Sequence, residues 1–321
     1  MKFATIAPEG STWMNVLREF DKELQKETEG RLKLKIYPGG VSGDEKDVLR
    51  KIRFGQLHAS GFTGFGLGEI LSEVRVFEIP FLFDKVSELS LLREHLTPYF
   101  EKEFEKKGFV LSDWADAGFI HLYSKSPIKS ADDLKKLKVW TWQGDPMPQA
   151  FFKGFGITPI SLSLPDVLTS LQTGLIDTVY ASHLAAIALQ WFTKVEYVTD
   201  KPICFSVGAV VISKKFYDKV GKQDQAILSR LNKKYMARLR DLTTKENSTA
   251  LKAMKKRGLK VVPFAQKDIQ KFKDISVNVR QGLVGKLYPQ DLLDKVLGIL
   301  ASAKEKAKES KKKKPSKKVA K

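Results

Sequence analysis

The chain has 321 residues, enough for two domains rather than one. Hydrophobic content of 42% with 20 Phe supplies real cores and excludes a disordered or fibrous chain, while the single cysteine, Cys204, excludes a disulfide framework and a Cys-cluster metal site. The net charge of +19 first points to nucleic acid or membrane, but residues 304–321 hold ten Lys against Glu305 and Glu309, a balance of +8, leaving +11 along the rest. No apolar run reaches the roughly 18 residues of a membrane-spanning helix. The opening Lys2-Phe3-Ala4-Thr5-Ile6-Ala7 reads as a strand and not as a secretory signal. Composition alone leaves two options, a cytoplasmic protein or one whose leader has been removed ahead of Met1.

The first half alternates strands and amphipathic helices. Ser11 is placed to cap a helix with the apolar face Val16, Leu17, Phe20 and Leu24, ending at Gly30. Residues 31–37 alternate basic and apolar side chains as a half-buried strand, stopped by Pro38-Gly39-Gly40. A helix over residues 44–54 leads to a strand over 57–62, and this order predicts a parallel sheet covered on both faces. The pattern repeats after residue 118. Ser130 and Asp133 form a capping box, Val139 to Trp142 is strand-like, and Pro146 suits a helix first turn. A strand over 157–160, a helix over 165–173 and a strand over 175–180 complete a second α/β unit. Residues 222–257 contain neither Pro nor Gly and carry Leu228, Leu231, Tyr235, Leu239 and Leu242 at helical spacing, predicting one long helix. A strand over 259–262 and two helical segments follow. Residues 304–321 are Lys-rich and low in complexity, and are expected to form a disordered tail.

Catalytic chemistry finds no support in the residues. His58, His95, His121 and His183 make no metal-protease spacing, and Cys204 lies in an apolar strand-like run as a buried, inert thiol. Nucleophile-elbow and phosphate-loop motifs are absent. Gly61-Phe62-Thr63-Gly64-Phe65-Gly66-Leu67-Gly68 invites a dinucleotide reading, but it lacks the third glycine at the required spacing and carries bulky residues where a pyrophosphate must approach. It reads instead as a flexible crevice loop. Neither metal nor cofactor is called for, and no specific nucleic-acid signature accompanies the basic residues. Trp13, Trp114, Trp140, Trp142 and Trp191 all fall near predicted strand ends or helix starts, on the rim of one crevice.

These motifs resemble the periplasmic solute-receptor subunit of TRAP transporters, the DctP type, over residues 2–303. The resemblance is carried by Tyr37-Pro38-Gly39-Gly40 with Gly43-Asp44-Glu45, Gly55-Gln56-Leu57, Ile79-Pro80-Phe81-Leu82-Phe83, Ser130 to Val139, and Leu171-Gln172-Thr173-Gly174 with Asp177. It implies an α/β, two-lobed periplasmic-binding-protein clamp with a long lobe-spanning helix, in the periplasm, its signal peptide or lipid anchor removed. Lobe I is drawn as 1–118 plus 206–245 and lobe II as 119–205 plus 246–303.

The resemblance also implies a receptor, not an enzyme, that closes on a small carboxylate and delivers it to the TRAP membrane subunits. In the family the carboxylate is held by an Arg. That position here is Trp140, and the neighbouring contact positions fall at Ile120, Thr63 beside Gly64, Leu164 and Ala181. An unpaired carboxylate is costly to desolvate, whereas apolar area contributes roughly 25 cal/mol per Å² on burial. An apolar or amphipathic solute is therefore expected, bound by Trp13, Phe62 and Thr63 from lobe I, by Ile120, Trp140, Trp142, Leu164 and Ala181 from lobe II or the crossing strands, and by Trp114 and Trp191 on the crevice rim. The Arg-to-Trp change further resembles a subgroup that works with a periplasmic tetratricopeptide-repeat protein and favours hydrophobic, lipid-like ligands. A carboxylate held by a Lys or by His121, a clamp-fold enzyme and a polyanion binder stay open as alternatives.

Overall fold

The structure is a computed structural model and describes residues 1–312. Strand β1 (Lys2–Thr5) leads into α1 (Thr12–Glu27), whose first turn is closed by Ser11 Oγ accepting from Met14 N. Then follow β2 (Lys35–Tyr37), α2 (Glu45–Arg53) capped by Asp44, β3 (Ala59–Thr63), α3 (Gly64–Gly68), a 3-10 segment (Ser72–Glu78), α4 (Val86–Lys106) and β4 (Phe109–Trp114). The first sheet has the order β2-β1-β3-β11-β4, where β11 (Gly208–Ser213) arrives from much later in the chain. Strands β1, β2 and β3 are parallel, but β11 runs antiparallel to both β3 and β4. The sheet is thus mixed, not the wholly parallel one expected, because the chain crosses back into it from the other side.

The second sheet joins β10 (Cys204–Ser206), β5 (Gly118–Ser124), β9 (Tyr197–Thr199) and β12 (Lys260–Val262), with β8 (Thr178–Ala181) paired to β5. Strands β6 (Trp140–Trp142) and β7 (Ile160–Leu162) form a short parallel ladder beside it. Between them lie α5 (Ala131–Leu134), opened by the Ser130/Asp133 capping box, α6 (Pro146–Gly154), α7 (Val167–Thr173) and α8 (His183–Ala188). The chain passes from one sheet to the other at Ala115–Ala117 and returns at Val207, and the two crossings are bonded to each other by Ala117 N to Ser206 O and Ala115 N to Gly208 O. Gly208 is required there, since a Cβ would lie 2.4 Å from Ala115 O.

After the short α9 (Lys214–Tyr217), α10 (Lys222–Lys256) runs 35 residues, about 52 Å at roughly 1.5 Å per residue. It packs on α1 and β4 of the first sheet and on α8 and β5 of the second, and so spans both. Its charges meet those of α1 in a ladder of Arg230 with Glu27, Lys234 with Glu23 and Arg238 with Glu19. These pairs lie on helix surfaces, where each contributes about 0–1 kcal/mol. Helix α11 (Gln266–Gly282) packs on α5 and α6, whereas α12 (Gln290–Lys312) packs on α4. Leu292, Leu293, Val296 and Leu300 join the core of Leu89, Leu92 and Leu96, so this segment, expected with lobe II, lies against the flank of the first sheet. Residues 304–312, expected to be disordered, continue α12, for which their Ala, Lys and Glu have good propensity; residues 313–321 lie outside the described residues.

The glycine-rich segment is not an open loop. It forms the end of β3 and all of α3, and its glycines allow large neighbours to close in. A Cβ on Gly61 would lie 2.6 Å from the Trp13 ring, and one on Gly64 would lie 2.2 Å from the Glu78 carboxylate.

Candidate ligand-binding site

Between the two sheets lies a cavity of ≈ 150 Å³, and beside it a second of ≈ 140 Å³. They share Ile6, Thr63, Ala117, Ser182, Ala185 and Leu189 as a common wall. Thr63, Ile120, Trp140, Trp142, Leu164, Ala181 and Trp191 line the larger cavity, and Trp13, Phe62 and again Thr63 line the smaller. Trp114 lines neither. Its ring packs edge-on against Phe77 and Phe100, and its Nε1 donates to Thr97 Oγ1 at 2.9 Å, so it belongs to the core beside the first sheet.

Strand β6 presents Trp140 and Trp142 to the larger cavity as part of one aromatic array. Trp140 stacks on Tyr180 at 4.8 Å and meets Trp191 edge-on at 5.3 Å. Both indole N–H groups are already committed, Trp140 Nε1 to Leu162 O at 3.1 Å and Trp142 Nε1 to Asp44 Oδ2 at 2.8 Å. At Trp140 the cleft is thus offered apolar ring, not a donor. Thr63 is likewise committed, because its N–H and hydroxyl both donate to Glu45, which also accepts from Gly66 N. Burial pushes the Glu45 carboxyl up to about 8 despite these hydrogen bonds.

Three charged side chains that sequence reasoning missed form the polar end of the cavity. Arg75 Nε lies 2.9 Å from Glu78 Oε2, and Arg75 Nη2 lies 2.9 Å from Asp145 Oδ2, with all three side chains at most 8% exposed. Burial alone would weaken the guanidinium, but Asp145 and Glu78 more than offset this and hold its proton more tightly than usual. Burial raises the Glu78 carboxyl, with Arg75 opposing the shift. The available signal was an Arg and a Glu inserted into the apolar run Val74-Arg75-Val76-Phe77-Glu78-Ile79, indistinguishable in a basic chain until the 3-10 segment turns both into the cleft. Cys204 also faces this cavity, half-buried, and desolvation with the neighbouring Glu78 raises its thiol, so it stays protonated and unreactive. Of the histidines, His58 stacks on Phe216 and His95 bonds the Leu91 carbonyl. His121 and His183 stack at 4.3 Å behind the cleft, and Tyr123 Oη bonds His183 Nδ1. Among the described residues no group of three or more His, Cys, Asp or Glu is placed to hold a metal ion.

Two α/β lobes joined by paired crossing strands and one spanning helix, with a cavity between them, define a two-lobed solute receptor. The comparisons give the family. The model of the DctP family, bacterial extracellular solute-binding protein family 7, matches residues 3–284, and the chain belongs to that family. It is 28% identical over 286 residues to the 2,3-diketo-L-gulonate-binding periplasmic protein YiaO of Escherichia coli K12, covering 87% of this chain and 85% of that protein. A solute-binding protein of Verminephrobacter eiseniae is 30% identical over 210 residues, 64% of this chain and 62% of that protein's length. Among solved structures, the sugar acid binding protein of Advenella mimigardefordensis in complex with galactonate superposes with a TM-score of 0.89 at 19% identity, over 94% of this chain and 98% of that one. A TRAP periplasmic solute binding protein of Haemophilus influenzae with bound L-gulonate gives 0.87 at 22% identity, over 94% and 99%. The protein is a periplasmic solute receptor of that family, which is a family of solute-binding proteins and not of enzymes.

Proposed function

We propose that the solute is apolar or amphipathic and carries no free carboxylate. The observation that carries this reading is the charge inventory of the larger cavity, whose lining holds one cation, Arg75, already flanked by Glu78 and Asp145. The rest of its wall is mainly aromatic and aliphatic, with Trp140 at the position of the family's Arg. A ligand with an apolar body against Trp140, Phe151 and Phe152 and a neutral polar head near Arg75 and Tyr180 fits this arrangement. Lobe closure about Ala115–Ala117 and Val207 would enclose it, and the domain boundaries read from the sequence, with α12 moved to lobe I, belong to this proposal. So does the tetratricopeptide-repeat partner that the resemblance implies.

Kinship favours a second reading. Solved structures similar in fold hold β-D-galacturonate, galactonate and L-gulonate, all sugar acids. Native mass spectrometry and solvent extraction of the purified protein separate the two. A co-purifying apolar or amphipathic molecule, released in Trp140→Ala, is the expected result. Tight binding of a sugar acid, undiminished in Trp140→Ala, overturns the apolar reading.

A further inference from the structure

The arginine in this cleft already holds a carboxylate, and that carboxylate is part of the chain. Asp145 Oδ2 lies 2.9 Å from Arg75 Nη2 inside the cavity that would receive the solute. The aspartate is held from its other side as well. Its Oδ1 accepts from Met147 N at 3.1 Å as the cap of α6, and its own N–H donates to Trp142 O at 3.0 Å. Glu78 is anchored equally firmly, with Oε1 accepting from Val207 N at 3.0 Å. The arginine stem lies against Gly68, where a Cβ would come within 2.9 Å of Arg75 Cδ. Both carboxylates are therefore fixed on a guanidinium that cannot swing away. With both ionised the group carries one net negative charge; with Glu78 protonated it carries none. In neither state does the cleft offer a net positive charge to an incoming anion, and a ligand carboxylate would have to sit beside Asp145.

We propose that Asp145 determines specificity by occupying, as a tethered carboxylate, the anion seat of Arg75, so that free carboxylates are turned away. The guanidinium keeps Nη1 as a donor for a neutral oxygen, since among the described residues it makes no hydrogen bond, whereas Nε is buried against Glu78. The role deepens the apolar or amphipathic reading and rests on it. It also explains how a fold whose solved relatives hold sugar acids can keep an Arg in its cleft without using it in that way. The position is one step before Pro146, where any residue able to cap a helix satisfies the backbone, so the start of α6 does not itself require the negative charge.

The test is calorimetric titration of D-glucuronate and L-gulonate into wild type, Asp145→Ser and the double variant Arg75→Met/Asp145→Ser. Serine keeps the helix cap and vacates the space of the carboxylate. The expected result is no saturable binding to wild type, a gain of at least about 100-fold in Asp145→Ser, and loss of that gain in the double variant. A cooperatively melting Asp145→Ser that gains nothing, or a gain that persists without Arg75, overturns the role of Asp145. Strong binding of either acid by wild type instead overturns the reading of the cleft, so the two failures are distinguishable. Should Asp145→Ser not fold, Asp145→Asn carries the same test through charge alone, with an expected gain of about 10-fold that Arg75→Met abolishes. An unchanged affinity in a folded Asp145→Asn counts against the proposal.

Discussion

Trp142, on β6 beside the second sheet, donates its indole N–H to the carboxylate of Asp44, the cap of α2 beside the first sheet, at 2.8 Å across the cleft. The same oxygen lies 3.4 Å from Leu164 N, and Phe65 of α3 packs on the Trp142 ring at 4.9 Å. One side chain from each side of the cleft thus links the two lobes.

Trp142→Phe removes that bond and keeps much of the ring contact. A hydrogen bond to a carboxylate contributes about 1.5–3 kcal/mol, so the closed state should lose about 10-fold or more in population. Small-angle scattering of the ligand-free protein should report a larger radius of gyration than wild type.

Trp140 is 1% exposed and packed by Tyr180, Trp191 and Trp142. Trp140→Ala should lower stability by about 3–5 kcal/mol through lost transfer energy and a residual cavity, read by urea denaturation. Trp140→Phe should lose clearly less.

Gly64→Ala puts a methyl group 2.2 Å from Glu78 Oε1, within a buried ionic group that has little room to shift. A loss of about 1–3 kcal/mol is expected from overpacking. An unchanged melting temperature would show that Glu78 is mobile.

Desolvation lowers His121 to about 4 and His183 to about 3, the latter helped by His121. Both are neutral in the folded protein at neutral pH, whereas unfolded histidine titrates near 6.5. The unfolded state therefore takes up protons first as pH falls, and each group subtracts about 1.4 kcal/mol per pH unit below ~6.5, down to its folded value. Melting temperature should drop between pH 7 and 4, and His121→Gln/His183→Gln should flatten that drop. A pH profile identical to wild type in the double variant would contradict the assignment.

Removing residues 304–321 deletes a charge of +8 and, among the described residues, the 3.9 Å pair of Lys304 with Glu88. Stability should change by no more than about 0.5 kcal/mol, and solute binding should persist. Salt-sensitive adsorption to anionic vesicles should fall.

Most of the elements were legible because their signals are local. Ser11, Asp44 and the Ser130/Asp133 pair cap the helices they begin, and the long helix follows from its Pro- and Gly-free run of periodic apolar residues. Trp140 and its neighbours were placed in the cleft through the family motif. Trp114 was not placed correctly, because a tryptophan at a strand end has the same local pattern whether the strand ends at the cleft or in a core. Helix α12 was assigned to the wrong side for a related reason: its apolar face does not identify the partner, and α4 supplies it only in three dimensions.

The charge of +19 divides in the same way. Local composition determined that a large share sits in the Lys-rich terminus and that the body's charges alternate along helical faces. Tertiary structure alone decided that Arg75 meets Glu78 and, seventy positions further on, Asp145. Periodicity records which side of an element is buried, but the free energy of a buried charge depends on what lies within a few ångströms of it. Only the packing of the two lobes sets that distance.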